Sequence, residues 1–176
     1  MSKIAELIEE SGAIKYGTFE LSNGSIADYY VDKYVFETQP DVLEPIVAEI
    51  AARLDDETID LVVGPALGAV PLVTGVSLHS GIDAAFIRQG TKEYGTKARV
   101  EGTIEAGDRV VIVEDVTTTG GTVVETADLV SELGAVVERL IVVVDRNEGA
   151  DENVAAAGYD LESLVRVGDE LVVDSA

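Results

Sequence analysis

Apolar residues recur along the chain with two periods, and the switches between them predict its elements. Ile4, Leu7 and Ile8 share one face of a helix over residues 3–11. Ile14–Leu21 and Asp28–Lys33 read as two strands around Ser22-Asn23-Gly24-Ser25, a hairpin signal. A helix is predicted over Asp41–Leu54. Alternating units follow: a strand at Ile59–Val63, the loop Gly64-Pro65-Ala66-Leu67-Gly68, a helix at Ala69–Ser80 and a strand at Ala84–Arg88. Beyond a long polar segment come a strand at Arg109–Glu114, a helix over 121–133 and a strand at Val137–Asp145. A short helix at Glu148–Ala157 and a last strand at Leu161–Val167 complete the pattern. Runs such as Leu140-Ile141-Val142-Val143-Val144 have no polar face and suit strands buried on both sides of a parallel sheet. The pattern predicts an α/β fold, a central and mostly parallel sheet flanked by helices, with no internal repeat or linker.

One unit carries chemistry. Val110-Val111-Ile112-Val113 reads as a buried strand ending in the adjacent acids Glu114 and Asp115. Val116-Thr117-Thr118-Thr119-Gly120-Gly121-Thr122 then turns into a helix closed by Gly134. Side chains alternate along a strand, so the two acids point to opposite sides. Ligands of open α/β sheets bind outside the carboxyl ends of the strands. Two acids there can accept hydrogen bonds from vicinal sugar hydroxyls and approach a hydrated magnesium ion. The turn offers N–H groups and hydroxyls at a helix N-terminus, an anion site. Acids for a ribose beside amides for a phosphate describe a ribose 5-phosphate site. No Gly-x-Gly-x-x-Gly and no Gly-Lys-Ser/Thr accompanies this turn, which disfavours dinucleotide folds and P-loop nucleotidases.

Composition narrows the field. The 176 residues suffice for one domain, and no run approaches eighteen uninterrupted apolar residues, as a membrane helix requires. The first residues start an amphipathic helix rather than a secretory signal, which predicts a cytoplasmic protein. Without cysteine there is neither a disulfide framework nor thiolate chemistry. Twelve bases stand against thirty-four acids, a net charge of −22, which excludes nucleic acid as an expected partner and is similar to proteins of salt-loving archaea. Four of the twelve bases nevertheless fall between Arg88 and Arg99, with Lys92 and Lys97 between them. That polar, glycine-containing segment predicts a mobile lid over an anionic substrate.

The Glu114–Thr122 segment closely resembles the phosphoribosyl-pyrophosphate signature of the type I phosphoribosyltransferases. Other stretches resemble the orotate branch: Lys15-Tyr16-Gly17-Thr18-Phe19-Glu20-Leu21 with Asn23-Gly24 and Tyr29-Tyr30-Val31-Asp32 its N-terminal hood, Gly64-Pro65-Ala66 with Pro71 its pyrophosphate loop, and Arg88, Lys92, Glu93 and Gly95 its catalytic loop. Asp145-Arg146 closes a strand where that family places an arginine facing the orotate carboxylate. The resemblance implies a type I phosphoribosyltransferase fold with a small hood (about residues 1–36 plus the C-terminal part) on a core of about 40–146. It implies transfer of the phosphoribosyl group to orotate. Lys92, Arg88 and Asp115 would be catalytic. Glu114, Asp115, Val116, Thr117, Thr118, Thr119, Gly120, Gly121 and Thr122, with Arg88, Lys92 and Tyr94, would bind phosphoribosyl pyrophosphate. Thr118, Arg146 and Tyr30 would bind orotate. Magnesium would be held through substrate and water rather than by direct protein ligation. A homodimer sharing its Gln89–Gly102 loops, with no nucleic acid and no membrane, completes the expectation.

The chain departs from the family pattern where lysines are frequent, with Ser22 in the hood, Gly68 in the pyrophosphate loop and Gln89 in the catalytic loop; Tyr94 stands where a histidine is frequent. Other readings stay open. Arg146 is compatible with an ion pair to Glu148, Lys97 and Arg99 with merely solubilising the loop, and one of Tyr29 and Tyr30 with a core position. A transferase for a purine base, or a regulator that binds phosphoribosyl pyrophosphate without turnover, would share the main motif. His79, the single histidine, reads as structural.

Overall fold

A computed structural model describes residues 2–20, 24, 26–54, 59–88 and 99–173. Helix α1 (Lys3–Glu10) is capped by Ser2, whose hydroxyl accepts from the Ala5 N–H, and it buries Ile4, Ala5 and Ile8. Strands β1 (Ile14–Glu20) and β2 (Ile26–Val31) pair antiparallel as a separate two-stranded sheet. Leu21 and, of the expected hairpin turn, Ser22, Asn23 and Ser25 lie outside the described residues. Helix α2 (Lys33–Glu37) follows, where the sequence reading ended a strand at Lys33. Its five residues are too few to show a helical period, and packing forms it: Phe36 is fully buried.

After α3 (Pro40–Ala52) come β3 (Leu61–Ala66), α4 (Val70–Ser80), β4 (Asp83–Arg88), β5 (Val100–Glu101), β6 (Arg109–Thr117), α5 (Gly121–Glu132), β7 (Val136–Asp145), α6 (Ala150–Ala156) and β8 (Leu161–Arg166). The six-stranded sheet runs β5-β4-β3-β6-β7-β8, parallel throughout except for β5. Two cores flank it. Val111 and Val113 of β6 meet α1, α3 and α4 residues on one face, while Val110 and Ile112 meet Val123, Ala127 and Val130 of α5 on the other.

Three expectations are corrected. β3 continues through Gly64 and Pro65 to Ala66, where a loop was expected from Gly64. Gly64 is needed for that close pairing, because a Cβ would lie 2.6 Å from the Val113 carbonyl oxygen and 2.6 Å from Val73 Cγ2. Strand β6 likewise continues past the acid pair to Thr117, since β7 runs alongside to Asp145 and supplies its ladder. Within the segment read as one loop, Val100 and Glu101 add a short antiparallel edge to β4. The basic positions Lys92 and Lys97, with Gln89, Tyr94 and the rest of 89–98, lie outside the described residues.

Candidate active site

The strand order contains one reversal. From β3 the chain steps outward to β4, then returns to β6 on the other side of β3. Crevices at such reversals, outside the carboxyl ends of the strands, are where open α/β sheets bind ligands. The segments that meet here are the turn after β3 and the acid pair with its turn after β6.

Glu114 and Asp115 are both nearly fully buried. Asp115 Oδ1 accepts from the Val116 N–H at 2.5 Å, and Glu114 Oε1 from the Asp115 N–H at 3.1 Å. Asp115 Oδ2 accepts from the Lys33 ammonium, also at 2.5 Å. Burial pushes the Glu114 carboxyl well above its ordinary range, and the Asp115 charge pushes it further. Burial lowers Lys33, but the Asp115 charge and hydrogen bond outweigh it and hold the ammonium above its usual value. One turn along α2, Glu37 is buried with neither carboxyl oxygen hydrogen-bonded; burial, then the Asp115 charge, raise it to about 8. Lys33 and Glu37 stand beside the acid pair, and sequence reasoning missed both. No local signal marked them, because α2 is too short to repeat a helical period.

The turn is built for backbone exposure. The Thr117 hydroxyl accepts from the Gly120 N–H at 3.1 Å, and Gly120 takes φ +79°. A Cβ on Gly120 would lie 2.9 Å from Val154 Cγ2 of α6, and Asn153 of α6 donates to the Thr119 carbonyl at 2.9 Å. Helix α6 therefore supports the turn from behind. Gly120 provides no capping side chain, so the first N–H groups of α5 are left for a ligand. Val116 and Thr118 are half-buried, while Thr119, Gly121 and Thr122 face solvent.

Arg146 follows the end of β7, its N–H donating to the Thr117 carbonyl at 3.0 Å. Its guanidinium is buried, paired with Glu148 Oε1 at 2.8 Å and stacked on Tyr29 with Cζ 4.3 Å from the ring centroid. Burial raises Tyr29, and the Arg146 charge opposes it. Of the two tyrosines, Tyr29 thus stands with Arg146 and packs on the core. Tyr30 is exposed, its ring 5.7 Å from that of Phe19. Arg88, last in β4, is 3.4 Å from Glu101 and lines an open cavity of about 410 Å³ with Ala66, Leu67, Val70 and Phe86. Arg99 pairs with Glu125 at 2.5 Å. His79 is exposed near the end of α4. Lys92 and Tyr94, expected at this site, lie outside the described residues.

Among the described residues no three His, Cys, Asp or Glu side chains converge as a metal cage. The site supplies two adjacent carboxylates, one already paired with an ammonium. That donor set suits a magnesium ion that keeps its waters and takes substrate oxygens.

Residues 39–160 match the phosphoribosyl transferase domain family, so the chain belongs to it, and the fold is the α/β type I phosphoribosyltransferase fold. Its relatives narrow that class. The orotate phosphoribosyltransferase of Natronomonas pharaonis is 44% identical over 169 residues, covering 96% of each chain. The crystal structure of orotate phosphoribosyltransferase from Aeropyrum pernix superposes with a TM-score of 0.80 at 30% identity, covering 95% of each chain. A Mycobacterium tuberculosis orotate phosphoribosyltransferase, solved in complex with 5-phospho-alpha-D-ribosyl 1-diphosphate, gives 0.73 at 29% identity and covers 96% of this chain. Within the phosphoribosyltransferases, the chain belongs with the orotate branch. No helix among the described residues is long and apolar enough to cross a membrane.

Proposed function

We propose that this protein is an orotate phosphoribosyltransferase acting in pyrimidine nucleotide biosynthesis. It joins orotate to phosphoribosyl pyrophosphate and releases orotidine 5′-monophosphate and pyrophosphate. The observation that carries this reading is the buried acid pair and its glycine turn at the β3/β6 reversal, one strand away from a buried arginine. Its relatives' names support it.

Little general acid–base work is needed. Ribosyl transfer develops positive charge at C1 and negative charge on the departing pyrophosphate, so catalysis is positioning and charge neutralisation. Glu114 and Asp115 accept hydrogen bonds from the ribose hydroxyls. The turn from Val116 to Thr122 holds the 5-phosphate through N–H groups and hydroxyls. Arg146, pre-oriented by Glu148 and Tyr29, offers its guanidinium to the orotate carboxylate, with Thr118 beside it and Tyr30 on the hood side. Arg88 and Lys92 face the pyrophosphate, with Tyr94 in the same loop. Magnesium, if bound, would sit near Glu114 and Asp115 and would supply further neutralisation of the departing pyrophosphate. The protein works as one domain in the cytoplasm of a salt-adapted cell, as a homodimer whose Lys92 serves the partner's site.

The test is consumption of orotate with phosphoribosyl pyrophosphate, magnesium and molar KCl, with adenine and hypoxanthine as competing bases. Orotate should be consumed and the purines left. Asp115→Asn removes a charged acceptor worth about 1.5–3 kcal/mol, so turnover should fall roughly tenfold to a hundredfold. Wild-type kinetics in a folded Asp115→Asn protein would sink the assignment. Sharing across the dimer is tested by complementation. Lys92→Ala and Asp115→Asn proteins, each nearly inactive, should regain part of the activity after exchanging subunits, because some heterodimers hold one intact composite site.

A further inference from the structure

Lys33 has no part in the reaction as written above, yet its ammonium sits at the acid pair. It donates to Asp115 Oδ2 at 2.5 Å from 82 residues away in the chain. An ammonium has three donors, and Asp115 takes one. The Lys33 side chain is 27% exposed against 4% for Asp115, so the lysine, unlike the aspartate, is partly open to solvent, with its Nζ 5.4 Å from the Tyr34 ring centroid. Gly68 faces it from the turn after β3: a Cβ there would fall on both the ammonium and Asp115 Oδ2. The φ of Gly68 lies outside the left-handed range, so this glycine provides room rather than an unusual backbone conformation.

Substrate chemistry gives the ammonium its use. In phosphoribosyl pyrophosphate the diphosphate leaves from C1, adjacent to the C2 whose hydroxyl the acid pair accepts. A cation hydrogen-bonded to one of those acids is therefore within a few ångströms of the departing oxygens. We infer that Lys33 is a further substrate-binding residue, its ammonium bridging Asp115 and the pyrophosphate group across the space that Gly68 leaves open. Asp115 keeps lone pairs for the ribose hydroxyl while Oδ2 holds Lys33, so the two contacts coexist. The inference rests on reading this site as the phosphoribosyl-pyrophosphate site.

The experiment is binding calorimetry of the full chain in molar KCl and magnesium, with inorganic pyrophosphate and ribose 5-phosphate as separate probes. Lys33→Met should weaken pyrophosphate roughly tenfold to a hundredfold, as for a lost charged hydrogen bond. It should leave ribose 5-phosphate unchanged or tighter, because Asp115 is freed. Lys33→Arg should recover part of the pyrophosphate affinity. Gly68→Ala, which adds a methyl group and alters no charge, should also weaken pyrophosphate by displacing the ammonium. The double variant Lys33→Met/Gly68→Ala should be no weaker than Lys33→Met, since both changes act on one contact. Unchanged pyrophosphate affinity in folded Lys33→Met, equal loss of both probes, or additive losses in the double variant would each overturn the inference. Should Lys33→Met not fold, Lys33→Arg and Gly68→Ala decide: pyrophosphate affinity untouched in Gly68→Ala also overturns it. A wild-type protein that binds neither probe would instead overturn the site reading itself.

Discussion

Glu37 is pushed up to about 8 because the cost of charging it is only partly repaid. Its carboxyl oxygens are buried without hydrogen bonds, Asp115 adds repulsion, and Lys33 offsets only part. The folded value of about 8 lies above the ordinary 4.5, so the folded state binds more protons than the unfolded chain between those limits. Stability contributed by this group is full below about pH 4.5 and is lost as pH rises toward 8. Glu37→Gln, which cannot ionise, should therefore melt increasingly above the wild type as pH goes from 5 to 9. Thermal melts at several pH values check this, and a constant offset would refute it. Glu114 is raised in the same direction but is present in both proteins, so the difference isolates Glu37. At this scale the sequence was only partly legible. The acid pair, the hydroxyl run and Arg146 were readable because their chemistry is local. The Lys33–Asp115 contact was not, because an 82-residue separation leaves no local pattern. The Arg146–Glu148 pair was weighed as an alternative to orotate binding, and the structure shows the pair.

The strand–turn–helix from β6 to α5 places two adjacent glycines under different demands. Gly120 adopts φ +79° against α6, where a Cβ would press on Val154 and the Ala150 carbonyl. Gly121 is the first residue of α5, and the nearest atom to a Cβ there is Thr119 Oγ1 at 4.0 Å. Gly120→Ala should cost about 1–2 kcal/mol from the backbone alone and lower the melting temperature by roughly 2–8 °C. Gly121→Ala should stay within about 0.5 kcal/mol of the wild type. Equal melting temperatures for the two variants would contradict this division. Helices α3 and α5 and the long strands were legible from hydrophobic pattern, the helices by their apolar faces and the strands by unbroken apolar runs. Helix α2 and strand β5 were not, being too short to repeat a period, and each exists through its neighbours: Phe36 in the core, and the ladder from Phe86 and Ile87 to Glu101 and Val100. The extension of β6 to Thr117 was hidden for the same reason, since β7 and not local sequence carries it.

Over the whole molecule, the net charge of −22 predicts how the fold responds to salt. Two electrostatic effects oppose each other as salt rises. Surface ion pairs such as Arg53–Glu49 and Arg109–Glu138 weaken by screening, but exposed pairs contribute only about 0–1 kcal/mol each. Repulsion among the unpaired acids also weakens, and it acts over every pair of acids closer than the screening length. That length is about 10 Å at 0.1 M salt and about 3 Å at 1 M. With thirty-four acids against twelve bases, most acids have no partner to lose, so relief of repulsion outweighs loss of pairs. The apolar core adds to the trend where the salt is one excluded from protein surfaces. The melting temperature should therefore climb steadily between about 0.05 and 2 M KCl, and activity with it. The site should share the dependence, because a polyanionic substrate approaches an acidic surface and its on-rate is repressed until that field is screened. Separate measurements of melting temperature and of kcat/KM across the KCl series test both parts. A melting temperature indifferent to KCl would mean that short-range pairs, not the summed field, govern this fold.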